Sequence, residues 1–281
     1  MKDQQVAPDL PALSEATRRA VDVGGHRLAL ECAGRGRPTV VLEAGLATDR
    51  TTWEPIWPAL AALTRVCRYD RAGLGESQPG PGPRTSAQIV TELHTLLVQA
   101  AVPGPYVLVG HSIGGLHLHL YASRYPEQVV GLVLLDWLHP ETDAAIQAVL
   151  PPEQPDEAPA LQLFRQQIRH EGVWAYGPED FDWQTSLAQV QATPLPPTLG
   201  VTIVSVAGPV GHPELPLDLR RRIGQRLVEL DAAMVQQAGN GVHRVVTNSG
   251  HNLHHDRPEL VIEVIREMVD GVRRAAGGKA A

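Results

Sequence analysis

The stretch Tyr106-Val107-Leu108-Val109-Gly110-His111-Ser112-Ile113-Gly114-Gly115 constrains the fold more than any other part of the chain. An apolar run of β character, Tyr106 to Val109, stops at a glycine; a serine follows two residues later, and an amphipathic helical pattern starts at Leu116. Strand, sharp turn and helix with Gly-x-Ser-x-Gly at the turn leave the serine hydroxyl raised above the sheet. Such a backbone is strained and its neighbours pass close by, so Gly110 and Gly114 remove side chains that would collide there. The helix N-terminus below offers free N–H groups and a positive dipole end, both suited to an oxyanion.

Around this turn, strands and helices alternate. Val21–Val23 and Leu28–Cys32 flank Gly24-Gly25 and read as a hairpin. Strands are expected at Thr39–Leu42, Val66–Tyr69, Val129–Leu135, Val201–Val206 and Val242–Thr247. Helices are expected at Trp53–Leu63, Thr85–Ala101, Leu215–Ala238 and Pro258–Ala275. The alternation implies an α/β fold with a mostly parallel sheet and helices on both faces. Residues 137–200 interrupt it. Nine prolines from Pro140 to Pro197 punctuate three short amphipathic segments, around Thr142–Leu150, around Leu161, Phe164 and Ile168, and around Trp183, Leu187 and Val190. We expect an α/β core at 1–136 and 201–281, with a helical cap inserted at 137–200.

Composition narrows the chemistry. The formal net charge of −7 argues against a nucleic-acid surface and leaves no polybasic membrane patch. Only Lys2 and Lys279 are lysines, both at termini. That removes a Schiff-base lysine, a P-loop lysine and a Tyr-x-x-x-Lys pair. Neither a signal peptide nor a membrane span is apparent. Cys32 and Cys67 each fall in a predicted strand and read as two buried free thiols. With those, a cytoplasmic location is expected.

With its strand before and its helix after, the serine turn makes the chain resemble the α/β-hydrolase fold family. The order of its elements is similar to the family's eight-stranded arrangement. The resemblance implies a serine nucleophile at Ser112, which needs a general base. His251 follows a strand through Asn248-Ser249-Gly250 just before the final helix, where the family carries its catalytic histidine. His111, inside the turn, is not assigned that role. His254 and His255 are expected at the surface or behind the site. His117 and His119 point to different sides of a helix, which disfavours a metal pair. The oxyanion donors implied are the backbone N–H groups of Ile113 and Leu46. Where the family usually shows His-Gly, this chain has Glu43-Ala44-Gly45-Leu46, and Glu43 is a candidate partner for Arg71.

The triad acid departs from the commonest pattern. No carboxylate follows the strand Val201–Val206 until Glu214 and Asp218, whereas the preceding strand ends at Leu134-Leu135-Asp136. An aspartate directly after a buried β run sits at the carboxyl edge of the sheet, where catalytic groups gather. Asp136 is therefore the expected acid, with Asp218 and Glu214 as alternatives. Six of the twelve aromatic residues lie from Trp137 to Trp183. Trp137, Trp174, Tyr176 and Phe181 are taken as candidates for an apolar pocket, against the plainer reading that a cap needs its own core. The expected function is hydrolysis of a small, partly apolar carboxylic ester through an acyl-enzyme, with no cofactor or metal. Peptidase, thioesterase, perhydrolase and hydroxynitrile-lyase chemistry share the constellation. More remote are a non-catalytic ligand receptor and, from Gly110, Gly114, Gly115 and Asp136, a dinucleotide site.

Overall fold

The computed structural model describes residues 16–170, 179–237 and 239–278. Its strands are β1 (Thr17–Asp22), β2 (Arg27–Ala33), β3 (Thr39–Glu43), β4 (Val66–Tyr69), β5 (Tyr106–His111), β6 (Val129–Leu135), β7 (Val201–Val206) and β8 (Gly241–Val246). Its helices are α1 (Trp57–Leu63), α2 (Ser86–Gln99), α3 (Ile113–Arg124), α4 (Thr142–Val149), α5 (Pro159–His170), α6 (Trp183–Gln191), α7 (Leu217–Gln237), α8 (Leu253–Asp256) and α9 (Pro258–Gly277).

The strands form one sheet in the order β1-β2-β4-β3-β5-β6-β7-β8. The pairs β1–β2 and β2–β4 are antiparallel, and every later pair is parallel. Central strands buried on both faces read as continuous apolar runs, and their side chains alternate between two cores. Val41, Leu108, Leu132 and Leu134 pack with α2 and α3 on one face. Val40, Leu42, Val107, Val109, Val133 and Leu135 pack with α1 and α9 on the other. Between β6 and β7, α6 sends Trp183, Leu187 and Val190 into the first core. Helices α4 and α5 close a smaller core with α7 through Ile146, Phe164, Ile168, Leu219 and Ile223. No helix among the described residues is long and apolar enough to cross a membrane.

Two sequence expectations are corrected. The helix expected at Trp53–Leu63 divides into a 3-10 turn, Arg50–Trp53, and α1. Pro58 lies in the first turn of α1, where a missing N–H does no harm; deeper in a helix it would break it. The second correction is larger. Cys32 and Cys67 are not free thiols but a disulfide, 35 residues apart in sequence. They stand directly opposite each other in the β2–β4 pair, a register that neither strand's own sequence carries.

Candidate active site

The serine turn is the join of β5 and α3. Ser112 holds φ +54°, ψ −127°, outside the regions an L-residue favours. It is pinned from both sides: its N–H donates to Leu135 O (3.1 Å) and its carbonyl accepts from Leu138 N–H (3.0 Å). The flanking glycines are required by close approach. A β-carbon on Gly110 would lie 2.7 Å from Gly115 Cα, and one on Gly114 2.5 Å from Glu43 O.

One strand over, β6 ends at Asp136, itself at φ +38°. Its N–H donates to Val204 O (2.7 Å) and its Oδ1 accepts from Val206 N–H (2.9 Å), so the end of β7 fixes the carboxylate. Its Oδ2 lies 2.6 Å from His251 Nδ1. A carboxylate only accepts, so Nδ1 carries the proton of this contact. The structure therefore brings His251 and Asp136 together. It leaves Asp218 exposed beside Arg221 at 3.8 Å, and Glu214 exposed in the loop after β7.

The loop that carries His251 is held by two other histidines. His111 Nε2 donates to His251 O (2.9 Å). Burial drives the His111 pKa down to about 3, with His251 and His254 adding to the effect, so His111 stays neutral. His254, also neutral with a pKa of about 3 from burial, pairs through Nε2 with Thr52 Oγ1 (2.8 Å) and packs on Trp53. His254 thus lies behind the site, while His255 is at the surface. The role of His111 left no sequence signal beyond its position in the turn, because its partner is a carbonyl 140 residues away.

After β3 the chain bends at Ala44-Gly45-Leu46-Ala47 and passes beside Ser112. A β-carbon on Gly45 would stand 3.4 Å from Ser112 Cβ. Among the described residues, neither Leu46 N–H nor Ile113 N–H donates a hydrogen bond to another protein group. Beneath this loop is a buried charge cluster. Arg71 pairs with Glu43 (2.8 Å) as the sequence suggested, and also with Glu179 (2.6 Å), which the sequence did not. Tyr69 OH donates to the same Glu43. Burial pushes the Glu43 carboxyl up, against Arg71 and Tyr69. Burial works to raise Glu179 too, but there Arg71 outweighs it and holds the group below the ordinary glutamate range.

Of the aromatic candidates, Trp137 is 7% exposed and its Nε1–H donates to Asp231 Oδ1 (2.8 Å). Burial raises the Asp231 pKa to about 6, with nearby Asp136 adding to it and its donors Ser205 and Trp137 opposing. Phe181 is partly buried, edge-on to His117 and Trp183. Trp174 and Tyr176 lie outside the described residues. His117 and His119 are both buried and bond to different partners, Ser86 and Thr193 O. Among the described residues, no group of three or more His, Cys, Asp or Glu side chains is placed to hold a metal ion. A surface hollow of about 610 Å³, lined by Arg19, Cys32 and Arg65, opens at the amino ends of the parallel strands, opposite Ser112.

An uncharacterized protein of Bacillus subtilis strain 168, YqjL, is 28% identical over 81% of this chain and 82% of its own length. Two solved structures share the fold. One is an esterase from Thermogutta terrifontis (TM-score 0.60, 22% identity, 92% of this chain and 99% of that one). The other is the enol-lactonase from Burkholderia xenovorans LB400 (TM-score 0.59, 19% identity, 90% of this chain and 100% of that one). At such identities the likeness speaks for the fold alone. Residues 40–264, most of the chain, match the model of the alpha/beta hydrolase family, and to that family the chain belongs.

Proposed function

We propose that the chain is a serine hydrolase acting on small, partly apolar carboxylic esters. The observation that carries this reading is the 2.6 Å contact between Asp136 Oδ2 and His251 Nδ1 at the edge of the sheet where Ser112 turns upward. With Nδ1–H committed to the carboxylate, His251 Nε2 is free to take the Ser112 proton as Oγ attacks the ester carbonyl. The tetrahedral oxyanion is met by the N–H groups of Leu46 and Ile113. Collapse expels the alcohol, which takes its proton from His251. Water then enters, gives its proton to Nε2, and releases the acid from Ser112. Asp136 stays ionised throughout and stabilises the imidazolium.

Residues 137–200 are proposed as the cap over this site, with Trp137, Trp174, Tyr176 and Phe181 kept as candidates for an apolar substrate pocket. Replacing Phe181, Trp174 or Tyr176 by alanine is then expected to change ester chain-length preference, beyond any fall in melting temperature. A small ester-like molecule is the proposed partner. A cytoplasmic location keeps less support than the sequence suggested, since a cystine stands where two thiols were expected and favours an oxidising compartment. Counting free thiols in protein taken from its native source tests this.

The test of function is Ser112→Ala on short p-nitrophenyl esters, alongside fluorophosphonate labelling of both proteins. Turnover is expected to fall on the order of 10⁴-fold or more, and labelling to vanish. Activity within a few-fold of the unaltered protein would refute the assignment. A panel of esters, amides and thioesters separates ester hydrolysis from its relatives.

A further inference from the structure

We infer that Arg71, locked in place by Glu179 of the segment between β6 and β7, aims and polarises the Leu46 N–H as an oxyanion donor. The inference rests on the serine-hydrolase reading above and adds two positioning residues to it.

The argument begins with the peptide bond. The carbonyl of Gly45 and the N–H of Leu46 belong to one peptide unit, which is planar and trans, so its C=O and N–H point in opposite directions. Whatever fixes the Gly45 oxygen therefore fixes the direction of the Leu46 N–H. Arg71 Nη2 donates to that oxygen at 2.6 Å, and Thr48 Oγ1 donates to it at 2.8 Å. The preceding carbonyl, Ala44 O, accepts from Arg71 Nη1 at 2.7 Å. On the other side, Ala47 N–H donates to Glu179 Oε2 at 2.8 Å, and Ala47 is held at φ +56°. The peptide units on both sides of Leu46 are thus tied to one ion cluster. The Leu46 N–H itself has no protein acceptor among the described residues.

Arg71 can act this way because it has no freedom of its own. It is 2% exposed, and every guanidinium N–H has an acceptor: Nε and Nη2 hold the two oxygens of Glu179 (2.6 and 2.8 Å), Nη1 holds Glu43 and Ala44 O, and Nη2 holds Gly45 O. A planar fork saturated in this way sets position and plane together, which a lysine head cannot do. The contact also has an electronic effect. A cation on a carbonyl oxygen draws charge through the amide and makes its N–H a stronger donor, more so in a low-dielectric interior. Glu43, the last residue of β3, is one anchor of the fork.

Arg71→Lys and Glu179→Gln test the inference. Arg71→Lys keeps a positive charge between the two carboxylates, so the fold does not have to bury them unopposed. Loss of a whole oxyanion donor costs about 10²–10³ in kcat. Misaiming one is expected to lower kcat about ten- to hundredfold in either variant, with KM within about threefold. A boronic-acid mimic of the tetrahedral state should weaken in proportion, and fluorophosphonate should still label Ser112. In NMR spectra of Arg71→Lys the Leu46 amide proton should move upfield as the Gly45 carbonyl loses its guanidinium contact. An unmoved Leu46 resonance, or kcat within twofold in both variants, would overturn the inference. If the unaltered protein neither hydrolyses esters nor takes the fluorophosphonate, the hydrolase reading falls instead, and the Leu46 resonance still judges whether Arg71 polarises that amide.

Discussion

Asp136 and His251 lie 115 residues apart in sequence and meet at 2.6 Å, Oδ2 against Nδ1, with the aspartate's other oxygen tied to Val206 N–H. Asp136→Asn keeps the shape but turns a donor toward Nδ1 and favours the wrong tautomer. Turnover is expected to fall on the order of 10⁴-fold. Asp218→Asn should stay within about twofold, as that side chain is 92% exposed and, among the described residues, pairs only with Arg221. The two variants assayed side by side decide the identity of the acid. The reverse pattern would move it to the loop after β7.

His111→Phe removes the donor to His251 O while keeping an aromatic ring between Gly45 and His254. A lost hydrogen bond of this kind is worth about 1 kcal/mol, or roughly five- to tenfold. We expect kcat to fall by that factor with KM little changed. A pre-steady-state burst of acyl-enzyme, followed by stopped flow, checks whether the acylation step is the one affected.

Acid should destabilise the fold below about pH 6.5. His111 and His254 are held neutral at pKa about 3, and His119 and His139 at about 4, each chiefly by burial. Their folded values lie below the unfolded value of about 6.5, so between about pH 6.5 and 4 the unfolded chain binds protons that the native one refuses. Each such group lowers stability by about 1.4 kcal/mol per pH unit as pH falls. Asp231 works the other way. Its folded pKa of about 6 lies above the unfolded carboxylate value, so near pH 5 the native chain holds a proton there that the unfolded one lacks. Urea midpoints measured from pH 7.5 to 4.5 should fall steadily. His254→Phe should flatten the slope by about one proton, and Asp231→Asn should steepen it.

Reducing Cys32–Cys67, or replacing both by serine, opens a loop of 35 residues and should cost about 3–4 kcal/mol by chain entropy. The urea midpoint is expected to drop accordingly. Turnover at 25 °C should stay within about twofold, because the bridge lies at the amino-end side of β4, away from Ser112.

What the sequence disclosed was what is written locally. The apolar runs of β3, β5 and β6 predict strands, and the crowding at Gly110 and Gly114 follows from the turn they bracket. That Asp136 needs a hydrogen-bonded partner was legible, because a carboxylate ends a buried run there. Pairing across the chain was not. Cys32 faces Cys67 only because β2 and β4 are antiparallel neighbours, and no pattern within either strand states that. Glu179 reaches Arg71 over 108 residues from the segment between β6 and β7. Asp231 sits mid-helix between Leu230 and Ala232, and its buried bonds to Trp137 and Ser205 depend on how α7 lies against the sheet.

The disulfide also bears on the order in which the molecule is built. Strands β1, β2, β4 and β3 are contiguous in the sheet and contiguous in sequence, spanning Thr17 to Tyr69. Both cysteines are therefore synthesised before Ser112. In an oxidising compartment a nascent half-sheet can be riveted at β2–β4 while its β3 edge is still open. The strand that docks on that edge next is β5, and it arrives carrying the serine.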